Sequence, residues 1–201
     1  AEGYTVAYIV VDGRVRGFVV VGDEIRQEAR DVVERLKRWG YQLVIISGDH
    51  EVAVAKVAER LGIGKYYGGK TPDEKAEVVK ELRKEGGVIF IGDGINDAPA
   101  LASADVGIAV ATGTEVAKEA GDVVVRRGDL SKVAEFIDIS RKIMKNAKFN
   151  LFWAFAYNAA LIPIAAGLFY PTLYLRPELA GLAMALSSIS VTINSLRLKR
   201  A

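Results

Sequence analysis

Residues 43–46 (Leu-Val-Ile-Ile) and 88–91 (Val-Ile-Phe-Ile) carry no polar side chain, and each run leads within two residues to a glycine followed by an aspartate. A strand apolar on both faces must be buried on both. That demands helices above and below it and a mainly parallel sheet. The intervening segments supply the helices. Ile25, Ala29, Val32, Val33 and Leu36 recur at helical spacing before a stop at Gly40. Residues 51–61 read as a second helix closed by Gly62. Thr71-Pro72-Asp73-Glu74 opens a third, with threonine as cap, proline in first place and glutamate three residues after the threonine. A short alanine-rich helix is expected from Asp97, and further strands at 106–110 and 123–125. Strand and helix alternating at this rhythm predict an α/β fold with helices on both faces of a parallel sheet. Ahead of it, two β-rich runs around Asp12-Gly13 read as a hairpin, because the turn needs positive φ.

Charge divides the chain. Up to about Lys148, acidic and basic residues interleave with apolar runs, and beyond it charge nearly vanishes. A long amphipathic helix is expected from Leu130, carrying Arg141, Lys142, Lys145 and Lys148. It leads into a charge-free stretch at 151–170, then a proline-containing break at 171–177 and a second apolar stretch at 179–196. About 20 residues at ~1.5 Å each cover the ~30 Å hydrocarbon core, so these stretches are expected to form a transmembrane helical hairpin. Basic residues flank its outer ends, which places both ends and the α/β part in the cytoplasm of a multi-pass cell-membrane protein. The expected domains are 1–20 (hairpin), 21–129 (α/β), 130–150 (linker helix) and 151–198 (membrane hairpin).

Composition closes several routes. A net charge of +2 without a basic, aromatic-rich stripe gives no support for nucleic acid as a partner. With no cysteine and one histidine, thiolate chemistry and histidine-rich metal sites are excluded within the chain.

The chemistry-bearing residues follow the apolar strands. Gly92-Asp93-Gly94-Ile95-Asn96-Asp97 succeeds the 88–91 run, where ligands bind in open parallel sheets. Two close aspartates with flexible glycines suit Mg²⁺, which takes carboxylate, water and phosphate oxygens. Two carboxylates ~4 Å apart repel by roughly 4 kcal/mol at an effective dielectric of 20, so a cation is a natural companion. A plain Asx-Gly turn is the competing account. Ser47-Gly48-Asp49 follows the other buried strand and offers a hydroxyl and helix-start amides to an anion, or else only a helix cap at Asp49. Lys75 sits in the first turn of its helix, where the dipole disfavours a cation unless it faces a phosphate; a solvated surface lysine is the alternative.

A hydroxyl, a lysine and paired aspartates at strand ends are the parts of one phosphate-handling site, and their order resembles the haloacid dehalogenase superfamily. More narrowly, residues 92–97 followed by Ala98-Pro99-Ala100-Leu101 resemble the hinge motif of P-type ATPases. Ser47-Gly48-Asp49 is similar to that family's Thr-Gly-Asp, and residues 71–75 to its lysine segment. The resemblance extends through 106–109, Gly113-Thr114 and the two apolar stretches. It implies that Asp93 holds Mg²⁺, that Asn96 and Asp97 support the phosphorylated site, that Ser47 and Lys75 bind phosphoryl oxygens, and that Asp49 helps place nucleotide and metal. ATP is the implied energy source.

Tyr157, Asn158, Met184 and Ser188 resemble the last two helices of copper(I)-transporting members, a thioether suiting soft Cu⁺ and plausibly Ag⁺. Ordinary helix packing accounts for the serines equally well. The family's phosphorylated Asp-Lys-Thr-Gly-Thr segment does not occur here, and Asp12 and Asp23 lack its context. The chain alone is therefore expected to be inactive. Its implied partners are a lipid bilayer and the rest of a pump: the nucleotide and actuator domains and other membrane helices. A membrane-tethered phosphatase and a non-catalytic Mg²⁺- or phosphate-binding protein are the rival readings.

Overall fold

The computed structural model describes residues 5–21, 25–93, 96–111, 121–126, 129–168, 170 and 177–197. The chain divides into two compact units, Ala1–Glu135 and Phe136–Ala201.

In the first unit, β1 (Thr5–Val11) and β2 (Arg14–Val21) pair antiparallel through the expected turn. Asp12 and Gly13 both take positive φ, 51° and 73°, as a type I′ hairpin requires. The α/β part follows in the order α1 (Gln27–Arg38), β3 (Val44–Ile46), α2 (Glu51–Leu61), β4 (Lys65–Tyr67), α3 (Pro72–Glu85), β5 (Ile89–Gly92), α4 (Ala98–Ser103), β6 (Val106–Ala111) and β7 (Val123–Arg126). All its ladders are parallel: β3 with β4, and β5 with β6 with β7. Strand β4 has no counterpart in the sequence reading.

The core forms where α3 and α4 cover the central strands. Val79, Phe90, Ala100, Leu101 and Ala109 are buried together, and Ile46 of β3 packs against them. Asp105 ties this layer together at its edge. It accepts from the Val88 amide at 2.9 Å and from Arg83 Nη2 at 2.7 Å, and those two interactions, in that order, hold its carboxyl below the usual carboxylate range. From α1, Lys37 Nζ donates to the carbonyls of Leu61 and Gly62, at 2.8 and 2.6 Å, capping α2's negative end.

The second unit contains most of α5 (Leu130–Ala165) and α6 (Pro177–Arg197). Within it, Asn194 donates to Asn150 Oδ1 at 2.7 Å and also to Asn146, while Asn150 donates to Ser195 at 3.0 Å, so polar side chains join the two helices.

Among the described residues, no helix is long and apolar enough to cross a membrane. This overturns the expected transmembrane hairpin, the multi-pass placement, and the membrane ion path of a pump within this chain. Two features explain the difference. The charge-free stretch stays helical only to Ala165 and then turns, with Gly167 at φ 81°. Residues 151–165 rise about 22 Å, short of the ~30 Å core. In α6, Ser187, Ser188, Ser190, Thr192, Asn194 and Ser195 interrupt the apolar sequence. The expected break at 171–177 lies outside the described residues except for Pro177, as does Gly113-Thr114.

Candidate functional site

Strand β3 ends at Ile46, and Ser47 begins the loop beyond it. The Ser47 hydroxyl donates to Asp49 Oδ2 at 2.9 Å, and its Oγ accepts from the Asp49 amide at 3.2 Å. This closed turn orients both polar groups. Helix α2 is capped not by Asp49 but by His50, whose Nδ1 accepts from the Val52 amide at 3.4 Å, so Asp49 is spared for the loop.

The loop is fastened from the β4 side. The Ser47 amide donates to the Tyr67 carbonyl at 2.9 Å, Gly69 N–H to the Asp49 carbonyl at 2.7 Å, and Lys70 N–H to the Ser47 carbonyl at 3.0 Å. Gly68 allows this approach, because a Cβ there would lie 2.4 Å from Glu51 Cα. Sequence reasoning passed over residues 65–70. The Gly68-Gly69 pair ahead of the Thr71 cap was the available signal.

Helix α3 begins as expected, with a full Thr71–Glu74 capping box and Pro72 in its first turn. It carries Lys75 inward to an ion pair with Asp97, Nζ to Oδ1 2.7 Å, with only 12% and 14% of the two side chains exposed. Asp97 occupies the N-cap position of α4 without capping it through its side chain. Its Oδ2 instead accepts from the Asp93 amide at 3.3 Å. Asp93, just past β5, accepts at Oδ1 from the Asn96 amide at 3.4 Å. Gly92 makes room for this arrangement, since a Cβ there would stand 2.5 Å from Asp97 Oδ2. Gly94 and Ile95 lie outside the described residues.

Lys75, Asp93, Asn96 and Asp97 therefore form one hydrogen-bonded group at the end of β5. Ser47, Gly48 and Asp49 lie past the end of β3, joined backbone to backbone to the segment that opens α3. Asp97 pairs with Lys75, and the Asp93 carboxylate beside it is exposed. Among the described residues no three His, Asp or Glu side chains gather into a metal cluster. Mg²⁺ does not require one, because one or two carboxylates with phosphate and water oxygens suffice. Asp93 fits that role.

The other candidates lie in the second unit. Tyr157 packs its ring against Trp153, centroids 5.7 Å apart, and Asn158 Nδ2 donates to the Ala154 carbonyl one turn back at 2.9 Å. The Ser188 carbonyl accepts from Thr192 at 2.9 Å, and the Met184 side chain lies outside the described residues.

Comparison with known proteins follows the same lines. Over 202 residues the chain is 46% identical to a copper-exporting P-type ATPase of Staphylococcus haemolyticus, covering 100% of this chain and 25% of that protein. It is 44% identical over 201 residues to a silver-exporting P-type ATPase of Salmonella typhimurium, covering 98% of this chain and 24% of that protein. The chain thus spans about a quarter of the length of the curated relatives it matches. The crystal structure of a zinc-transporting PIB-type ATPase in its E2.Pi state superposes with a TM-score of 0.83 at 31% identity, over 98% of this chain and 32% of that one. Sequence profiles of haloacid dehalogenase-like hydrolases match residues 1–105 and, in a second profile, 74–137. With over half its length matched, and with Ser47 and Asp93 in the loops past β3 and β5 and Lys75 at the start of α3, this chain belongs to the haloacid dehalogenase-like hydrolase family.

Proposed function

We propose that this chain is the Mg²⁺- and phosphate-handling part of an ATP-driven exporter of Cu⁺, with Ag⁺ as a second cargo of the same soft chemistry. The observation that carries the proposal is the Lys75–Asp97–Asp93 group at the end of β5, in a chain 46% identical to a copper exporter. Lys75 and the Ser47 hydroxyl bind phosphoryl oxygens, a charge-assisted and a neutral donor respectively. Asp97 keeps Lys75 extended toward the site and hands it to the incoming phosphate. Asp49 orients the Ser47 hydroxyl and helps place the nucleotide. Asn96 fixes the Asp93 carboxylate, which holds Mg²⁺. The bound ion would offset the charge on the phosphoryl oxygens. The nucleotide domain, the actuator domain and the phosphorylated aspartate come from the remainder of the pump.

Labelled ATP followed by acid quenching tests the proposal. The chain alone is expected to form no aspartyl-phosphate. Supplied with the upstream segments of the Staphylococcus relative, it is expected to support Cu⁺-dependent phosphorylation of their aspartate. A phosphoenzyme on this chain alone, or none in the combination when the intact relative gives one, contradicts the proposal.

A further inference from the structure

We infer that Glu74 is a positioning residue for Lys75, acting through the capping box it shares with Thr71. The inference rests on the reading of Lys75 as a phosphate ligand. Lysine is a point charge on a flexible four-carbon stem, so whether its head reaches Asp97 depends on the backbone that carries it. Lys75 sits four residues after the cap, and its amide closes the first α-helical hydrogen bond of α3, to the Thr71 carbonyl at 2.9 Å. Everything ahead of that bond depends on the cap, because Pro72 contributes no donor.

Glu74 fastens the cap twice. Its Oε2 accepts from the Thr71 amide at 2.8 Å and from the Thr71 hydroxyl at 2.9 Å, while the Glu74 amide returns a bond to Thr71 Oγ1 at 3.4 Å. On the other side of the cap, Lys70 N–H reaches the Ser47 carbonyl at 3.0 Å. A continuous chain of bonds therefore runs from Ser47 through Lys70, Thr71 and Glu74 to Lys75 and on to Asp97. Glu74 lies on the surface, so its contribution is this turn rather than core packing. The hydrogen bonds from Thr71, backbone first and then side chain, hold its carboxyl below the usual range.

The test uses the full chain with two readouts: the Lys75 Nζ signal in ¹H–¹⁵N NMR, and inorganic phosphate titrated in the presence of Mg²⁺. In the wild type the Nζ protons should be protected by the pair with Asp97. Glu74→Ala should expose them to solvent exchange and weaken phosphate binding about fivefold, the scale of one lost helix cap. Glu74→Gln keeps an acceptor for Thr71 and should restore both readouts. Glu81→Ala removes an ion pair with Lys84 at the far end of the same helix and should change neither. If Glu74→Ala leaves the Nζ signal and the affinity at wild-type values, or if glutamine fails to rescue a folded protein, the positioning role is wrong. If the wild type binds no phosphate while Glu74→Ala still releases Lys75, the positioning role stands and the phosphate reading falls.

Discussion

Lys75→Met is expected to lower the unfolding free energy by about 3 kcal/mol, the cost of stranding one partner of a largely buried ion pair. Lys75 and Asp97 meet at 2.7 Å with 12% and 14% of their side chains exposed, so solvent compensates little for a lost partner. Removing the lysine leaves a largely buried carboxylate that keeps, among the described residues, the Asp93 amide as a donor at 3.3 Å. Asp97→Asn should cost less, because asparagine keeps an acceptor for that amide and leaves only the ammonium to find water. The double change Lys75→Met/Asp97→Leu removes both charges and should recover most of the loss, since apolar pairs replace buried ion pairs at little cost. Urea denaturation of these four proteins and of the Asp97→Leu single variant closes the cycle and measures the coupling. Single changes that add without coupling would show that the pair is not the joint between α3 and the β5 loop.

Gly68→Ala should cost about 1–3 kcal/mol by overpacking. The three atoms nearest the new methyl are all backbone: Glu51 Cα at 2.4 Å, Glu51 N at 2.9 Å and the Asp49 carbonyl oxygen at 3.1 Å. No rotamer can relieve such contacts. The start of α2 must instead separate from the 67–70 segment, straining the Gly69-to-Asp49 bond of 2.7 Å and loosening the Ser47 turn. Gly64→Ala is the control, since a Cβ there meets nothing within 4 Å; it should be neutral or slightly stabilising through the unfolded chain. Thermal denaturation of the pair checks the contrast, and equal melting temperatures would contradict it.

Much of this was legible in the sequence where the signal was local. The Asp12-Gly13 turn, the Thr71–Glu74 cap and the bounds of α2 each follow from residues a few positions apart, and the structure places them as read; the apolar strands form where expected, but Ile89 of β5 is 36% exposed, so that strand is not buried on both faces. What escaped depends on contacts between distant segments. Lys75 finds Asp97 across 22 residues and Lys37 caps a helix 24 residues on. The motifs group Lys75 with Asp97 in one site, but nothing local announces their direct ion pair or the Lys37 cap. Strand β4 is three residues, Lys-Tyr-Tyr, largely exposed, and it exists because β3 offers it a ladder. His50 displaced Asp49 as the α2 cap because Asp49 turns back to Ser47.

The membrane hairpin was over-read from a lack of charge at 151–170 and 179–196. Missing charge does not set helix length, and the turn at Gly167 and the hydroxyl residues along α6 leave no described helix able to cross a membrane.

That Ser47, Lys75 and Asp93 serve one phosphate is tested most directly by titrating inorganic phosphate into the full chain by ³¹P NMR, with and without Mg²⁺. Saturable binding should require Mg²⁺. It should weaken about tenfold or more in Asp93→Asn and in Lys75→Met, each of which removes one charged partner, and less in Ser47→Ala, which removes one neutral donor. Equal affinity with and without Mg²⁺, or equal affinity in all three variants, would contradict a shared site.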